Sequence, residues 1–150
     1  MKVKDLNVTV IIPTLNEADN VGTVIEELTQ IGCKNILIIN GHSDDNTVDI
    51  AKEFGASVIV QNGIGKGNAL REAFDRNGHG DIVVIMDADG SMNPKEMPIL
   101  LEAIESGADV AKGSRFMAGA YSEDINLIRR IGNRLFVSLV NAFWSADYTD

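Results

Sequence analysis

Short runs of β-branched and aliphatic residues alternate along this chain with stretches whose apolar residues recur every third or fourth position. Val8 to Ile12 is such a run and ends at Pro13, as expected of a buried strand closed by a residue that cannot continue a ladder. After the polar stretch Thr14 to Asn20, Val21, Val24, Ile25, Leu28 and Ile31 fall on one helical face, and Gly32 stands where a helix usually stops. The alternation continues: Ile36 to Ile39 predicts a strand, Thr47 to Phe54 a helix, Ser57 to Val60 a strand, Asn68 to Arg76 a helix and Ile82 to Met86 a fourth strand. Met97, Leu100, Leu101 and Ile104 mark a further helix, with Pro94 near its first turn and Pro98 predicting that regular geometry begins late. Asp109 to Lys112 reads as a fifth, weaker strand.

Strands that are apolar throughout and separated by helices imply a parallel sheet covered on both faces, because each crossover helix packs back onto the sheet. The expected class is therefore α/β. In the last segment, Ile125 to Ser145, helical spacing continues at Ile128, Ile131, Leu135, Leu139 and Phe143, yet Leu135 to Trp144 is apolar on nearly every side. A core-facing helix is the expected role, with contact to a partner or a membrane surface as the alternative. The chain ends at Tyr148-Thr149-Asp150 with no capping or terminating signal, which predicts a longer natural protein.

Composition narrows the function. The 150 residues are 45% apolar and 23% charged, enough for one domain with its own core. A formal charge of −9 removes the general attraction to a phosphate backbone, so a nucleic-acid partner is not expected. No apolar run approaches the roughly 20 residues that cross a bilayer, and the N-terminus lacks a secretory layout; a soluble, cytoplasmic protein is the expectation. Cys33, the single cysteine, excludes an internal disulfide and a cysteine-rich zinc site and reads as a small buried hydrophobe.

In an open parallel sheet, ligands bind beyond the carboxyl ends of the strands, so the loops that follow the strands are where chemistry is expected. Asp87 and Asp89, one residue apart as the fourth strand ends, can bend toward a single point, which favours a hard divalent cation, Mg²⁺ or Mn²⁺, completed by water and phosphate oxygens. The same spacing also suits a plain turn or cap. Gly65-Lys66-Gly67 allows close backbone approach to an anion and adds an ammonium, which suggests phosphate contact, without being a P-loop. Arg71 reads as a surface charge. Asn16 and Glu17 suit the start of the first helix, and Ser43 to Asn46 suit the start of the second. His42 reads as an exposed loop residue. Arg115, Arg129 and Arg130 suit either a diphosphate or surface ion pairs.

Taken together, these loops resemble the family 2 nucleotide-sugar glycosyltransferases, in particular the dolichyl-phosphate mannose and glucose synthase-like branch. The resemblance rests on Val10 to Glu17 as opening strand and nucleotide loop, on Ser43, Asp45 and Thr47, on Asp87-Ala88-Asp89, and on Gly113-Ser114-Arg115-Phe116. It covers nearly the whole chain.

The resemblance implies a GT-A fold, with a mostly parallel sheet and helices on both faces, and a catalytic domain over residues 1–150 that lacks part of its C-terminal acceptor side. It implies an inverting hexose transfer from a nucleotide diphospho-sugar, GDP-mannose or UDP-glucose, to a polyprenyl or dolichyl phosphate, at the cytoplasmic face of a membrane. Pro13, Leu15, Glu17 and Asn40 would line base and ribose, with Gly67 and Lys66 nearby. Asp87, Ala88 and Asp89 would meet the nucleotide, with Asp87 and Asp89 at the metal. Asp89, Arg115, Arg129 and Arg130 would serve catalysis by stabilising charge on the leaving diphosphate. Where the family carries an aspartate after its second strand, this chain has Asn40, which accepts a hydrogen bond but supplies no charge. A nucleotidyltransferase, or a nucleotide-sugar-binding module without turnover, is the alternative function.

Overall fold

The computed structural model describes residues 7–76, 80–114, 127–144 and 148. The chain divides into two compact units, Met1–Ala108 and Asp109–Asp150. In the first, the chain runs β1 (Val8–Thr14), α1 (Val21–Gln30), β2 (Asn35–Asn40), α2 (Thr47–Glu53), β3 (Ser57–Val60), α3 (Lys66–Phe74), β4 (Ile82–Ile85), a 3₁₀ turn (Pro94–Glu96) and α4 (Met97–Glu105). The four strands form one parallel sheet in the order β3-β2-β1-β4.

Strand periodicity assigns the layers. Val8, Val10 and Ile12 of β1, with Ile36 and Ile38 of β2, pack on one face against Val21, Val24, Ile25 and Leu28 of α1, Ala51 of α2, and Met97 and Leu101 of α4. Ile11 and Ile39 point the other way and meet Ala69 and Ala73 of α3. Most of these side chains are buried, each contributing about 1.5–3 kcal/mol for a full-sized aliphatic group. Helices thus cover both faces, with the small residues of α3 lying against the sheet.

Two boundaries differ from expectation for physical reasons. Pro13 lies inside β1 rather than ending it: Met86 N donates to Ile11 O and Gly41 N to Thr14 O, so Pro13 faces the β4 side just past the last β4 pairing. Its missing N–H is not needed there. Pro98 does not delay α4, which starts at Met97 with Pro98 in the first turn, where amide hydrogens have no helical partner. Helix α1 ends as expected at Gly32, whose φ of 99° lets Gly32 N donate to Thr29 O and Cys33 N to Leu28 O. Cys33 is buried, and burial pushes its thiol up to about 11.

In the second unit, Asp109 to Lys112, expected as a fifth strand, has no regular secondary structure. Helix α5 (Leu127–Trp144) follows. The spacing predicts a core-facing helix, whereas Ile131, Leu135, Phe136, Leu139, Phe143 and Trp144 are exposed.

Candidate functional site

The strand order locates the site before any side chain is considered. From β1 the chain steps outward through β2 to β3, then returns to lay β4 on the other side of β1. The strand order thus reverses at β1, and the space beyond the carboxyl ends of the strands at such a point is where an open α/β sheet takes its ligand. The end of β1 with the loop after it carries Pro13 to Glu17, and the segment after β4 carries Asp87 to Asp89.

A cavity of about 370 Å³ lies there. Pro13, Leu15 and Glu17 line it, as do Lys66, Asp87, Ala88 and Asp89, so seven of the sequence-predicted positions meet around one space. Lys66, the first residue of α3, reaches across the sheet edge to Asp87, its Nζ paired with Asp87 Oδ1. Ser91 N donates to Asp89 Oδ1 at 2.9 Å. Hydrogen bonding from Ser91 is the main cause holding the Asp89 carboxyl below its usual range, with a smaller contribution from the Lys66 charge. Asp89 is thus ionised at neutral pH. Ala88 keeps its methyl in the core, 3% exposed, so the two acidic neighbours stand at the edge while the residue between them anchors the turn.

Two predicted positions do not reach the cavity. Asn40 is buried, and its Oδ1 accepts hydrogen bonds from Ser43 N at 3.2 Å and Ser43 Oγ at 2.6 Å. The amide that was expected at the nucleotide instead holds the loop that follows it. Gly67 lies in the first turn of α3 and is not part of the lining; Gly65, at φ 87°, is. Arg115 lies outside the described residues. Arg129 and Arg130 fall on α5, in the second unit, and their side chains also lie outside the description.

The loops after β1 and β2 are knitted together by side chains read as helix caps. Asn16 N donates to Ser43 Oγ, Glu17 N to Thr47 Oγ1, Ala18 N to Asp45 Oδ2 and Asp44 N to Asn16 Oδ1, at 2.8–3.1 Å. Neither Asn20 at the start of α1 nor Asn46 at the start of α2 makes a side-chain cap. Thr47, fully buried, donates its hydroxyl to Asp45 Oδ1 while accepting from Glu17, a relay that leaves neither group unmatched. Thr47 is the first cause of the lowered Asp45 pKa.

Gln61, Gly41, Thr14, Ile39, Ile64 and Ala69 line the cavity without having been singled out as its residues. The one sequence signal at Gln61 is its position as the polar residue directly after β3; its burial, at 4% exposure, is visible only in the structure. Among the described residues, no group of three or more His, Cys, Asp or Glu side chains forms a metal cage. Two neighbouring carboxylates at an open edge fit a Mg²⁺ or Mn²⁺ ion that takes its other ligands from phosphate and water. No helix among the described residues is long and apolar enough to cross a membrane.

Comparison with known proteins follows the same line. The family model described as Glycosyl transferase family 2 matches residues 9–147. Glycosyltransferase AglJ of Haloferax volcanii is 33% identical over 143 residues, covering 95% of this chain and 47% of that protein. The dolichyl-phosphate hexose transferase of the same organism is 33% identical over 146 residues, 94% of this chain and 61% of that one. Among solved structures, glucosyl-3-phosphoglycerate synthase from Mycobacterium tuberculosis, in complex with Mn²⁺, UDP-glucose and phosphoglyceric acid, matches at a TM-score of 0.60. It is 25% identical over 68% of this chain and 40% of its own. The chain spans about half the length of these curated relatives. Its parallel sheet flanked by helices is the α/β arrangement of the GT-A fold shared by such neighbours.

Proposed function

The chain belongs to glycosyl transferase family 2, and from that premise we propose that it transfers a hexose, with inversion, from a nucleotide diphospho-sugar to a polyprenyl or dolichyl phosphate. The observation that carries this reading is the single cavity joining Asp87, Asp89 and Lys66 to Pro13, Leu15 and Glu17 at the switch point of the sheet. Its charged end suits a diphosphate and its less polar end a nucleoside. GDP-mannose and UDP-glucose are the donors in this reading.

Asp87 and Asp89 would hold Mg²⁺ or Mn²⁺, which when bound stabilises negative charge on a nucleoside diphosphate as it departs. Lys66 brings a positive point charge to the same end of the cavity. It is 56% exposed on its side chain and paired with Asp87, so it can move from that carboxylate to a phosphate without a buried penalty. Arg115, Arg129 and Arg130 steady donor or acceptor phosphates in this reading, through planar groups that stay charged. A lipid-phosphate acceptor arrives already anionic, which reduces the need for a general base. The relative named as a dolichyl-phosphate hexose transferase supports this acceptor class, and with it a reaction beside a membrane.

Incubation with UDP-glucose or GDP-mannose, Mn²⁺ and a polyprenyl phosphate tests the proposal by its products. Free nucleoside diphosphate together with glycosylated lipid phosphate is the expected result. Pyrophosphate would mean attack at phosphorus, a nucleotidyl transfer, and a donor that is bound but never consumed would mean a binding module.

A further inference from the structure

Gln61 directly follows β3, at the opposite side of the cavity from Asp87 and Asp89, three strand spacings across the sheet, or about 14 Å. Its amide belongs to a hydrogen-bond network whose polarity is settled by its outermost members. Arg71 can only donate, and its Nη2 donates to Asn68 Oδ1 at 3.1 Å. Glu72, as a carboxylate, can only accept: it takes Asn68 Nδ2 at 2.6 Å, Asn62 N at 2.9 Å and Gly63 N at 3.2 Å. Asn68 therefore has one orientation, with its oxygen toward Arg71 and its nitrogen toward Glu72. The same Nδ2 donates to Gln61 Oε1 at 3.1 Å. Gln61 is fixed in turn, with its oxygen engaged and its Nε2 turned to the cavity side, 3.2 Å from where a Cβ on Gly41 would sit. Gln61 and Gly41 both line the cavity, so this nitrogen lies beside it rather than in the sealed core, where Thr14 Oγ1 is, among the described residues, the buried side-chain atom without a partner.

We propose that Gln61 reads the base of the donor nucleotide as a hydrogen-bond donor, so that the cavity selects a base presenting a carbonyl oxygen at that edge, uracil or guanine, over one presenting an exocyclic amine, cytosine or adenine. The inference rests on the nucleotide-sugar reading above and deepens it. An N–H that a bound base covers is satisfied when it meets a carbonyl, whereas meeting an amine leaves two donors facing each other with water excluded. Gly41 is part of the device, since any side chain there would meet the Gln61 amide and the Thr14 carbonyl.

The test is calorimetric titration of the full chain with UDP, GDP, CDP and ADP in the presence of Mn²⁺, repeated on Gln61→Glu. That variant keeps the size of the side chain and the bond from Asn68, but replaces the cavity-facing donor by an acceptor. The unmutated protein should bind UDP or GDP roughly 10-fold or more tightly than CDP and ADP. In Gln61→Glu that ratio should collapse to within about 3-fold or reverse toward the amino bases. Equal affinity of the unmutated protein for all four nucleotides overturns the inference without touching the nucleotide site. So does a folded Gln61→Glu protein with an unchanged ranking, because a residue that only ties β3 to α3 would not set base preference. If the unmutated protein binds none of the four, the nucleotide-sugar reading falls and this inference with it.

Discussion

The two sides of the β1 crevice use similar residues to opposite ends. On the β2 side, Asn16, Asn40, Ser43, Asp45 and Thr47 spend their polar atoms on one another and on backbone amides. On the β4 side, Asp89 takes an amide from Ser91, Asp87 pairs with the exposed ammonium of Lys66, and both line the cavity. Motif residues are thus of two kinds. Those whose hydrogen-bonding capacity is filled by protein shape the loops, and those whose capacity is left over are free to meet a ligand.

That contrast breaks first at Asp89. Asp89→Ala should lower transfer activity by about 100-fold or more and abolish metal-dependent nucleotide binding, while the unfolding midpoint shifts little; a large loss of stability with binding retained would reverse the assignment. Thr47→Val should do the opposite. Removing the buried hydroxyl strands the Glu17 N–H and leaves Asp45 Oδ1 with the Thr47 amide alone, at a cost of about 1–3 kcal/mol in urea-derived unfolding free energy, and an unchanged midpoint would show that the loop network is not structural.

Smaller effects sharpen the division. Lys66→Met should weaken nucleoside diphosphate binding by about 10-fold yet change stability by less than about 1 kcal/mol, since its partner pair is solvent-exposed. Equilibrium dialysis and urea unfolding on the same preparation separate the two. The smallest effect concerns acid. The Asp45 pKa is lowered in the folded protein, chiefly by the Thr47 hydroxyl, so its contribution to stability is present above the unfolded-state pKa and is lost as pH falls through the folded one. Asp45→Asn should therefore be less stable than the unmutated protein near neutrality, and the gap should close in acid. A gap that is constant from pH 7 to pH 3 would contradict this.

Much of the site was legible because its residues cluster in short segments that directly follow apolar runs. Asp87 and Asp89 are a local signal, as are Pro13 to Glu17, and the rule that strand ends face one edge suffices to bring them together. Asn40 shows where this stops. Its position at a strand end suggested a ligand contact, but whether an amide at that edge turns outward or back onto its own loop depends on Ser43, whose hydroxyl also serves Asn16 from a loop 27 residues away. Gln61 escaped for the converse reason: nothing near it in sequence shows that Asn68 will engage its oxygen and leave its nitrogen free.

What the amino-acid sequence determined alone is everything carried by short-range periodicity and backbone chemistry: buried parallel strands, amphipathic helices, the glycine stop at Gly32, and an acidic pair at the end of an apolar run. Tertiary structure alone decided the order β3-β2-β1-β4, the engagement of the Asn40 oxygen by Ser43 and the arrival of Gln61 at the cavity. The physical reason is the range of the interactions. A strand's pattern specifies which of its sides are apolar but not which strand lies beside it, and a hydrogen-bonding group of several possible partners is committed only when folding brings one of them within about 3 Å.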